Sequence, residues 1–538
     1  VAAVKPPGML RSMLTFSGGT FVSRILGLVR EMAIAWAFGA NATTDAFWVA
    51  FRIPNFMRRL FAEGSFSVAF VPVMTEFKET RSHAELKELV SRTAGTLGLI
   101  LLVVTALGVL GAAWVTRGFA PGSIDEPLKF ALTTDLLRLT FPFLLFVSLT
   151  ALAGGILNSF NKFALPALTP VILNICLIAG ALWLAPLLEV PIMALGWAIL
   201  AAGILQLVVQ FPALRRLDLL TLPRWGWRHE GVRRILRLMV PTLFGSSVAQ
   251  INLLLDTLIA SFLITGSQTW LAQSDRLLEF PLGIFGVALG TVILPTLSRH
   301  HVSTDREGFS KALDWGLRTT LLIAVPAMLA LVLLAKPILF TLFQHGAFTA
   351  RDVEMASLSL SALALGLPAF ALVKVVAPAF YARQDTKTPV RAGIIAMVAS
   401  MLLNVLFIGL LLVLWQVPET AAASWWSRLS TVPGLHMGLA LASASASYVN
   451  LGLLWRALRR DGVFAAEPGW IAHWARLAGA CLVMVAVLWA GLALWPDWDD
   501  LHVASRVLRL GGLIAAGGFA FVVALFASGF RLRNLRAP

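Results

Sequence analysis

Apolar runs of about 20 residues follow one another along almost the whole chain, and no other feature limits its folding so sharply. In hydrocarbon every backbone N–H and C=O must find a partner within the protein, which leaves helices and closed barrels. Barrel strands alternate apolar and polar residues, whereas these runs are continuously apolar, so an all-α, polytopic membrane fold is predicted. The runs place about 14 transmembrane helices, centred near residues 25, 58, 103, 147, 177, 203, 250, 285, 325, 366, 402, 446, 482 and 518. Composition agrees: 58% of the 538 residues are hydrophobic and only 13% charged, against roughly a quarter charged in soluble domains. The stretch from Met9 leads into the first helix without a small-residue cleavage site, so no cleavable signal is expected there. Cys176 and Cys481 both lie in apolar runs and read as small buried hydrophobes, not as a disulfide or metal pair.

A formal charge of +15 would suggest a nucleic-acid partner in a soluble chain. Here Lys and Arg gather in alternate loops, as the positive-inside rule requires. The charge is therefore read as topology: multi-pass, with both termini cytoplasmic and no nucleic acid bound. The densest basic segment is LRRLDLLTLPRWGWRHEGVRRILR (214–237), whose Trp225 and Trp227 suit the headgroup level.

The chain repeats weakly at an offset of about 220 residues. AFVPVMTEF (69–77) resembles VILPTLSRH (292–300), pairing Pro72 with Pro295. LTPVILNICLI (168–178) resembles KTPVRAGIIAM (387–397), pairing Pro170 with Pro389. Small-residue turns, FGAN at 38–41 and ITGS at 264–267, precede the first pair in each half. The predicted organisation is a first lobe of six helices (10–215), a cytoplasmic basic linker (216–236), a second lobe of six (237–460) and a C-terminal helix pair (468–530). Repeated halves are how many secondary transporters are built, with substrate reached alternately from either side.

The segment TDAFWVAFRIPNFMRRLFAEGSF (44–66) places Asp45, Arg52, Arg58, Arg59 and Glu63 within one apolar run. Each such charge costs roughly 2.5–3.5 kcal/mol at a helix centre, so these groups must face protein, water or each other. On an ideal helix Asp45, Arg52, Arg59 and Glu63 fall within about 40° of one another, and Arg58 lies about 100° from Arg59. Pro54 should bend the helix near its middle. The first helix adds Arg24, Arg30 and Glu31, and SDRLLEFPLG (274–283) in the second half adds Asp275, Arg276 and Glu279. Internal salt bridging is the plainest account of any single residue. The arginines outnumber nearby acids, however, and buried unpaired charge is costly. A water-filled cationic cavity explains the whole set better, and the planar fork of arginine suits phosphate or carboxylate. Arg24, Arg30, Asp45, Arg52, Arg58, Arg59, Glu63, Arg276 and Glu279 are the candidate substrate-binding residues. No GxxxxGK[ST], HExxH or paired-cysteine motif is present, so neither ATP hydrolysis nor a resident cofactor is expected.

SRILGLVRE (23–31), the FGAN turn, TDAFWVAFRIPNFMRRLFAEGSFSVAFVPV (44–73), DRLLEFPLGIFGVALGTVILP (275–295) and YARQDTKTPV (381–390) together resemble the MurJ (MviN) family of lipid II flippases. The resemblance covers nearly the whole chain. It implies a bacterial inner-membrane transporter of the multidrug/oligosaccharidyl-lipid/polysaccharide exporter superfamily, not an enzyme. Its substrate would be lipid II, the undecaprenyl-pyrophosphoryl peptidoglycan precursor, moved from the cytoplasmic to the periplasmic leaflet. By motif, the family's essential arginines match Arg24, Arg30, Arg58 and Arg276, and its important acids match Asp45 and Glu279. Where the family reads Arg-Asp, this chain has Arg30-Glu31, which keeps the charge. The C-terminal pair is similar to one that forms a groove for the lipid tail. Implied partners are lipid II, membrane lipids and peptidoglycan-synthesis proteins, with the chain acting as a monomer.

Asp256 stands alone in the apolar stretch INLLLDTLIASFL (251–263), and with Asp385 it forms a candidate site for a monovalent cation such as sodium, as in related transporters. Bonding of Asp256 to a neighbouring hydroxyl or amide, and pairing of Asp385 with Arg383 or Lys387, are the plainer readings. Membrane potential offers a driver without any ion site, at about 2.3 kcal/mol per charge per 100 mV. The competing functions are export of another lipid-linked oligosaccharide or of a drug, and an integral-membrane glycosyltransferase or polymerase. The last would need a catalytic acid or base, and the longest periplasmic loop, near 414–436, offers only Glu419 and Arg428.

Overall fold

This computed structural model describes residues 7–59, 66–303, 305–415 and 424–531, and among them all side chains except those of 7–21, 67–68, 240–250, 284–292 and 425–426. The described residues form helices and connecting turns, and no strand is found among them. The all-α expectation holds. Contacts divide the chain into two compact units, residues 1–268 and 269–538.

In the first unit, α1 (Pro7–Phe38) packs against α8 (Ala164–Ala179), and α2 (Ala42–Arg58) against α6 (Pro127–Thr140) and α7 (Phe143–Ser159). Helix α3 (Ser67–Thr80) lies on α7, while α9 (Met193–Val208) is shared by α7 and α8. Helix α4 (His83–Leu110) joins α5 (Ala112–Phe119), and the short α10 (Phe211–Arg216) follows α9. Helix α11 (Glu230–Ala260) packs on α2, α3, α4 and α5. The basic linker lies against α4 to reach it. Ser91 Oγ donates to the Leu222 carbonyl at 2.6 Å, the Arg224 amide to the Ser91 carbonyl at 3.0 Å, and the Gly226 amide to Thr96 Oγ1 at 3.0 Å. Gly95 allows that approach, since a Cβ there would stand 2.2 Å from the Arg224 carbonyl oxygen.

The second unit begins within the first turn of α12 (Ser267–Val302), which is followed by α13 (Arg306–Leu333), α14 (Ala335–Leu342), α15 (Ala350–Ala364), α16 (Leu367–Tyr381), α17 (Lys387–Leu414), α18 (Trp425–Thr431) and α19 (His436–Arg460). Helices α15, α16 and α17 gather on α19, and α13 packs on α15 and α16. The C-terminal pair, α20 (Trp470–Leu494) and α21 (Val503–Ala527), is held at both ends. At one end, buried Asp314 of α13 accepts the Trp470 indole N–H at 2.7 Å and pairs with Arg318 at 2.7 Å. Arg318 in turn donates to the Glu467 and Pro468 carbonyls and lies over the Trp470 ring. At the other end, buried Arg506 donates to the Phe340 carbonyl at 2.9 Å and the Gln344 carbonyl at 3.2 Å. A cation in the first turn of α21 opposes that helix's dipole, and the carbonyls ending α14 offset the cost.

Local sequence explains where helices start. Asn41 accepts from the Thr43 and Thr44 amides while Thr44 accepts from the Asn41 amide, a reciprocal cap that opens α2 immediately after Gly39, whose φ is 68°. Ser82 with Glu85, and Thr349 with Asp352, start α4 and α15 in the same way. Pro54 sits inside α2 without ending it.

Burial follows the logic of a membrane protein. Helix α17 hides Ser400 and Asn404, each 1% exposed, and turns out Leu402 and Val405 at 68% and 73%. Helix α4 likewise buries Thr93, Thr96 and Thr105 and exposes Leu102, Leu107 and Leu110. Outward leucines lose nothing in lipid, whereas inward hydroxyls and amides must be satisfied by protein. Among the described residues ten helices are long and apolar enough to cross a membrane. The expected centres near 25, 58, 250 and 285 fall on α1, the end of α2, α11 and α12, which carry the charged residues. Among the described residues, expected spans built from two helices include α6 and α7, which meet at Pro142, α9 and α10, which meet at Gln210, and α15 and α16, which meet at Gly366.

Candidate functional site

Several charged residues of α1 and α2 tie these helices to their neighbours. Arg30 donates to Asn174 Oδ1 of α8 at 3.1 Å and pairs with the buried Glu31 beside it. Asn174 completes the tie by donating to the Ser23 carbonyl at 3.0 Å, so a single amide joins two turns of α1 to α8. Arg52 is 8% exposed, and its Nη1 donates to Thr257 Oγ1 at 2.8 Å and Gln268 Oε1 at 3.0 Å. Asp45, 1% exposed in the first turn of α2, accepts the Gly266 amide at 2.7 Å. Gly266 has φ 100° and belongs to the turn after α11. Asp45 and Arg52 are seven residues apart on one face of α2, as the helical arithmetic predicts. Together they fasten that face to the end of α11, the turn beyond it and Gln268 in the first turn of α12.

Arg24, Arg58 and Arg59 are each half-buried. Arg58 Nε donates to Asn55 Oδ1 at 3.0 Å one turn back, and Arg59 caps the end of α2 through its backbone amide. Glu63 lies outside the described residues. In the second unit Arg276 Nη1 donates to Glu279 Oε2 at 3.1 Å along one face of α12, with Glu279 largely exposed. These guanidiniums, set in apolar helices and partly open, could pair bidentately with phosphate or carboxylate oxygens.

Asp256 of α11 accepts from Asn252 Nδ2 at 3.2 Å, an amide partner one turn back. Asp385 lies in the turn before α17, where its Oδ1 accepts the Lys387 and Thr388 amides, both at 3.0 Å. Arg383 pairs instead with Asp461 at 2.9 Å. No cluster of three or more His, Cys, Asp or Glu able to hold a metal occurs among the described residues.

The C-terminal pair carries a furrow of about 670 Å³ between α20 and α21. Small residues Gly479, Ala480 and Ala520 line it together with Val483, Phe519 and Arg476. Such a furrow suits a long hydrocarbon chain.

A model of the family described as "Lipid II flippase MurJ" matches residues 34–508. The chain belongs to the MurJ family. It is 45% identical over 539 residues to a probable lipid II flippase MurJ of Vibrio cholerae, covering 98% of each chain. It is 40% identical over 535 residues to a lipid II flippase MurJ of Burkholderia cenocepacia, covering 98% of this chain and 99% of the relative. A solved structure entitled "Lipid II flippase MurJ, inward closed conformation" superposes with a TM-score of 0.77 at 28% identity, covering 97% and 99% of the two chains. An inward-facing multidrug transporter of the MATE family, in the MOP superfamily, shares the fold with a TM-score of 0.63 at 13% identity.

Sequence reasoning assembled the charged residues of this MurJ-family chain but not their neutral partners. Asn174, Thr257 and Gln268 lie 144, 205 and 216 residues from the arginines they accept from. Asn174 did leave a signal, being a lone amide in the apolar LTPVILNICLI.

Proposed function

We propose that this chain is a flippase that moves lipid II from the cytoplasmic to the periplasmic leaflet of a bacterial inner membrane. The observation that carries this reading is family membership along the whole chain, with relatives named lipid II flippases matched over 98% of its length. The chain is a transporter and not an enzyme. Its substrate joins a pyrophosphate and peptide carboxylates to a polyprenyl tail. The head needs cations and water, while the tail must stay in hydrocarbon.

Arg24, Arg58, Arg59 and Arg276 are the residues assigned to the head group, supported by their type and by their partial exposure in apolar helices. Arg30, Asp45 and Arg52 hold α1 and α2 in place for that contact, supported by their partners in α8, at the end of α11, in the turn after α11 and in the first turn of α12. Glu63 and Glu279 tune the charge of the set. The furrow of α20 and α21 receives the tail. Transport proceeds by alternating exposure of the arginines to the two sides, in a monomer with both termini cytoplasmic.

Inverted vesicles carrying labelled lipid II test the activity: protein-dependent transfer into the lumenal leaflet is expected, and polymer formation without transfer overturns the reading. Arg24→Ala, Arg58→Ala and Arg276→Ala should each fail to support growth of a flippase-depleted strain while remaining folded in the membrane. Normal growth with all three overturns the head-group assignment. Labelling of single cysteines near residue 531 from the cytoplasmic side only is the result expected for the orientation.

A further inference from the structure

A second apolar cleft, of about 630 Å³, opens among α13, α16, α19 and α20, within the size range of small-molecule sites. Its walls are fixed by polar contacts behind them. The Trp470 ring is held by Asp314 and covered by Arg318, whose guanidinium is 5.0 Å from its centroid. Trp455 stacks at a tilt on Phe464 with centroids 4.9 Å apart, and the segment beyond is pinned by Ser310, which exchanges hydrogen bonds with Ala465. Trp474 completes the aromatic wall, and Leu321 lies along the interior. At the rim stands exposed Arg459, which has no ion pair among the described residues. Gly452 opens one side: a Cβ there meets nothing within 4 Å.

We infer that this cleft binds one acyl chain of an anionic glycerophospholipid whose phosphate pairs with Arg459. The rim lies at the basic end of α19, which the positive-inside bias assigns to the cytoplasmic leaflet. Indoles near a headgroup, an apolar interior and a single cation at the mouth match the order of phosphate, glycerol and chain in such a lipid. The cleft takes Trp470 and Trp474 of α20, whereas the tail furrow takes Ala475, Gly479 and Val483 on another face. The site is therefore separate from the one proposed for the substrate tail, and binding there requires no flipping.

The test is native mass spectrometry of the detergent-purified full chain titrated with phosphatidylglycerol or phosphatidylcholine. Gly452→Leu fills the cleft and improves helix propensity, so it should keep the wild-type melting temperature. The wild type should retain one more phosphatidylglycerol than Gly452→Leu, with a preference over phosphatidylcholine of roughly tenfold. Arg459→Gln should lose that preference while keeping chain binding, and Trp474→Ala should weaken both lipids. Equal phosphatidylglycerol counts in the wild type and Gly452→Leu overturn the inference. So does Gly452→Leu losing undecaprenyl phosphate while retaining phosphatidylglycerol, which would make the cleft a substrate-tail site.

Discussion

Arg52 offers the sharpest separation of holding from binding. Its guanidinium donates to Thr257 Oγ1 and Gln268 Oε1, and Gln268 is itself 1% exposed, with its Nε2 donating to the Thr257 carbonyl at 2.7 Å. A hydrogen bond to a charged group contributes roughly 1.5–3 kcal/mol, so these two give about 3–6 kcal/mol. Arg52→Ala also removes a buried charge and its desolvation cost, which brings the expected loss to about 3–5 kcal/mol. Gln268→Leu deletes one acceptor of Arg52 and its own bond to the Thr257 carbonyl, leaving Thr257 Oγ1 to the guanidinium, for a loss of about 2–4.5 kcal/mol. Because the Arg52–Gln268 bond is already absent in Arg52→Ala, the double variant should fall short of the sum by about 1–3 kcal/mol. Equilibrium unfolding in detergent micelles measures all three, with growth complementation run in parallel. Strict additivity would refute the contact. If Gln268→Leu supports wild-type growth while Arg52→Ala, still folded, supports none, the guanidinium also acts on the substrate.

Gly95→Ala should lift the linker from α4, because the new methyl cannot share space with the Arg224 backbone. The three hydrogen bonds lost contribute roughly 0.5–1.5 kcal/mol each, and the readout is faster tryptic cleavage at Arg224 and Arg228; unchanged cleavage contradicts the packing. The Thr388 hydroxyl, bonding to Asp385, holds that carboxyl below its ordinary value. The resulting stabilisation of the first turn of α17 is therefore present above about pH 4 and lost as pH falls through the lower folded value. Hydrogen exchange of Lys387, Thr388 and Val390 should accelerate on acidification in the wild type and stay pH-insensitive, after correction for intrinsic rates, in Asp385→Asn; parallel profiles would rule this out. If Asp256 contributes to a sodium site, flipping in proteoliposomes at constant potential should slow on sodium removal or in Asp256→Asn. Indifference to both leaves membrane potential as the driver.

Much of this fold can be read from residue types alone. Leucine-rich runs give the helices, and Asn41 with Thr44 announces the start of α2, since both partners of the cap lie within four residues. Helix arithmetic places Asp45 and Arg52 on one face correctly. It cannot name what that face meets, because Gly266, Thr257 and Gln268 are brought there only by packing of α11 on α2. The same limit hid the course of the basic linker. Its arginines and tryptophans suggest a membrane surface, yet the contacts that fix it are made by backbone atoms of Leu222, Arg224 and Gly226. Backbone groups carry no residue-type signal. The closing clamps on α20 and α21 were equally silent, since Arg506 reads as one more interfacial cation until the Phe340 and Gln344 carbonyls appear beside it.

Those two clamps also decide what a probe on the C-terminal pair can report. Asp314 and Arg318 grip the start of α20, and Arg506 grips the start of α21, so neither helix keeps a free hinge to α13 or α14. A fluorophore or spin label fixed near the end of α21 is thus a handle on the second unit itself. Its orientation should change only when α13 and α14 change theirs, unless a clamp is first cut by Asp314→Ala or Arg506→Ala.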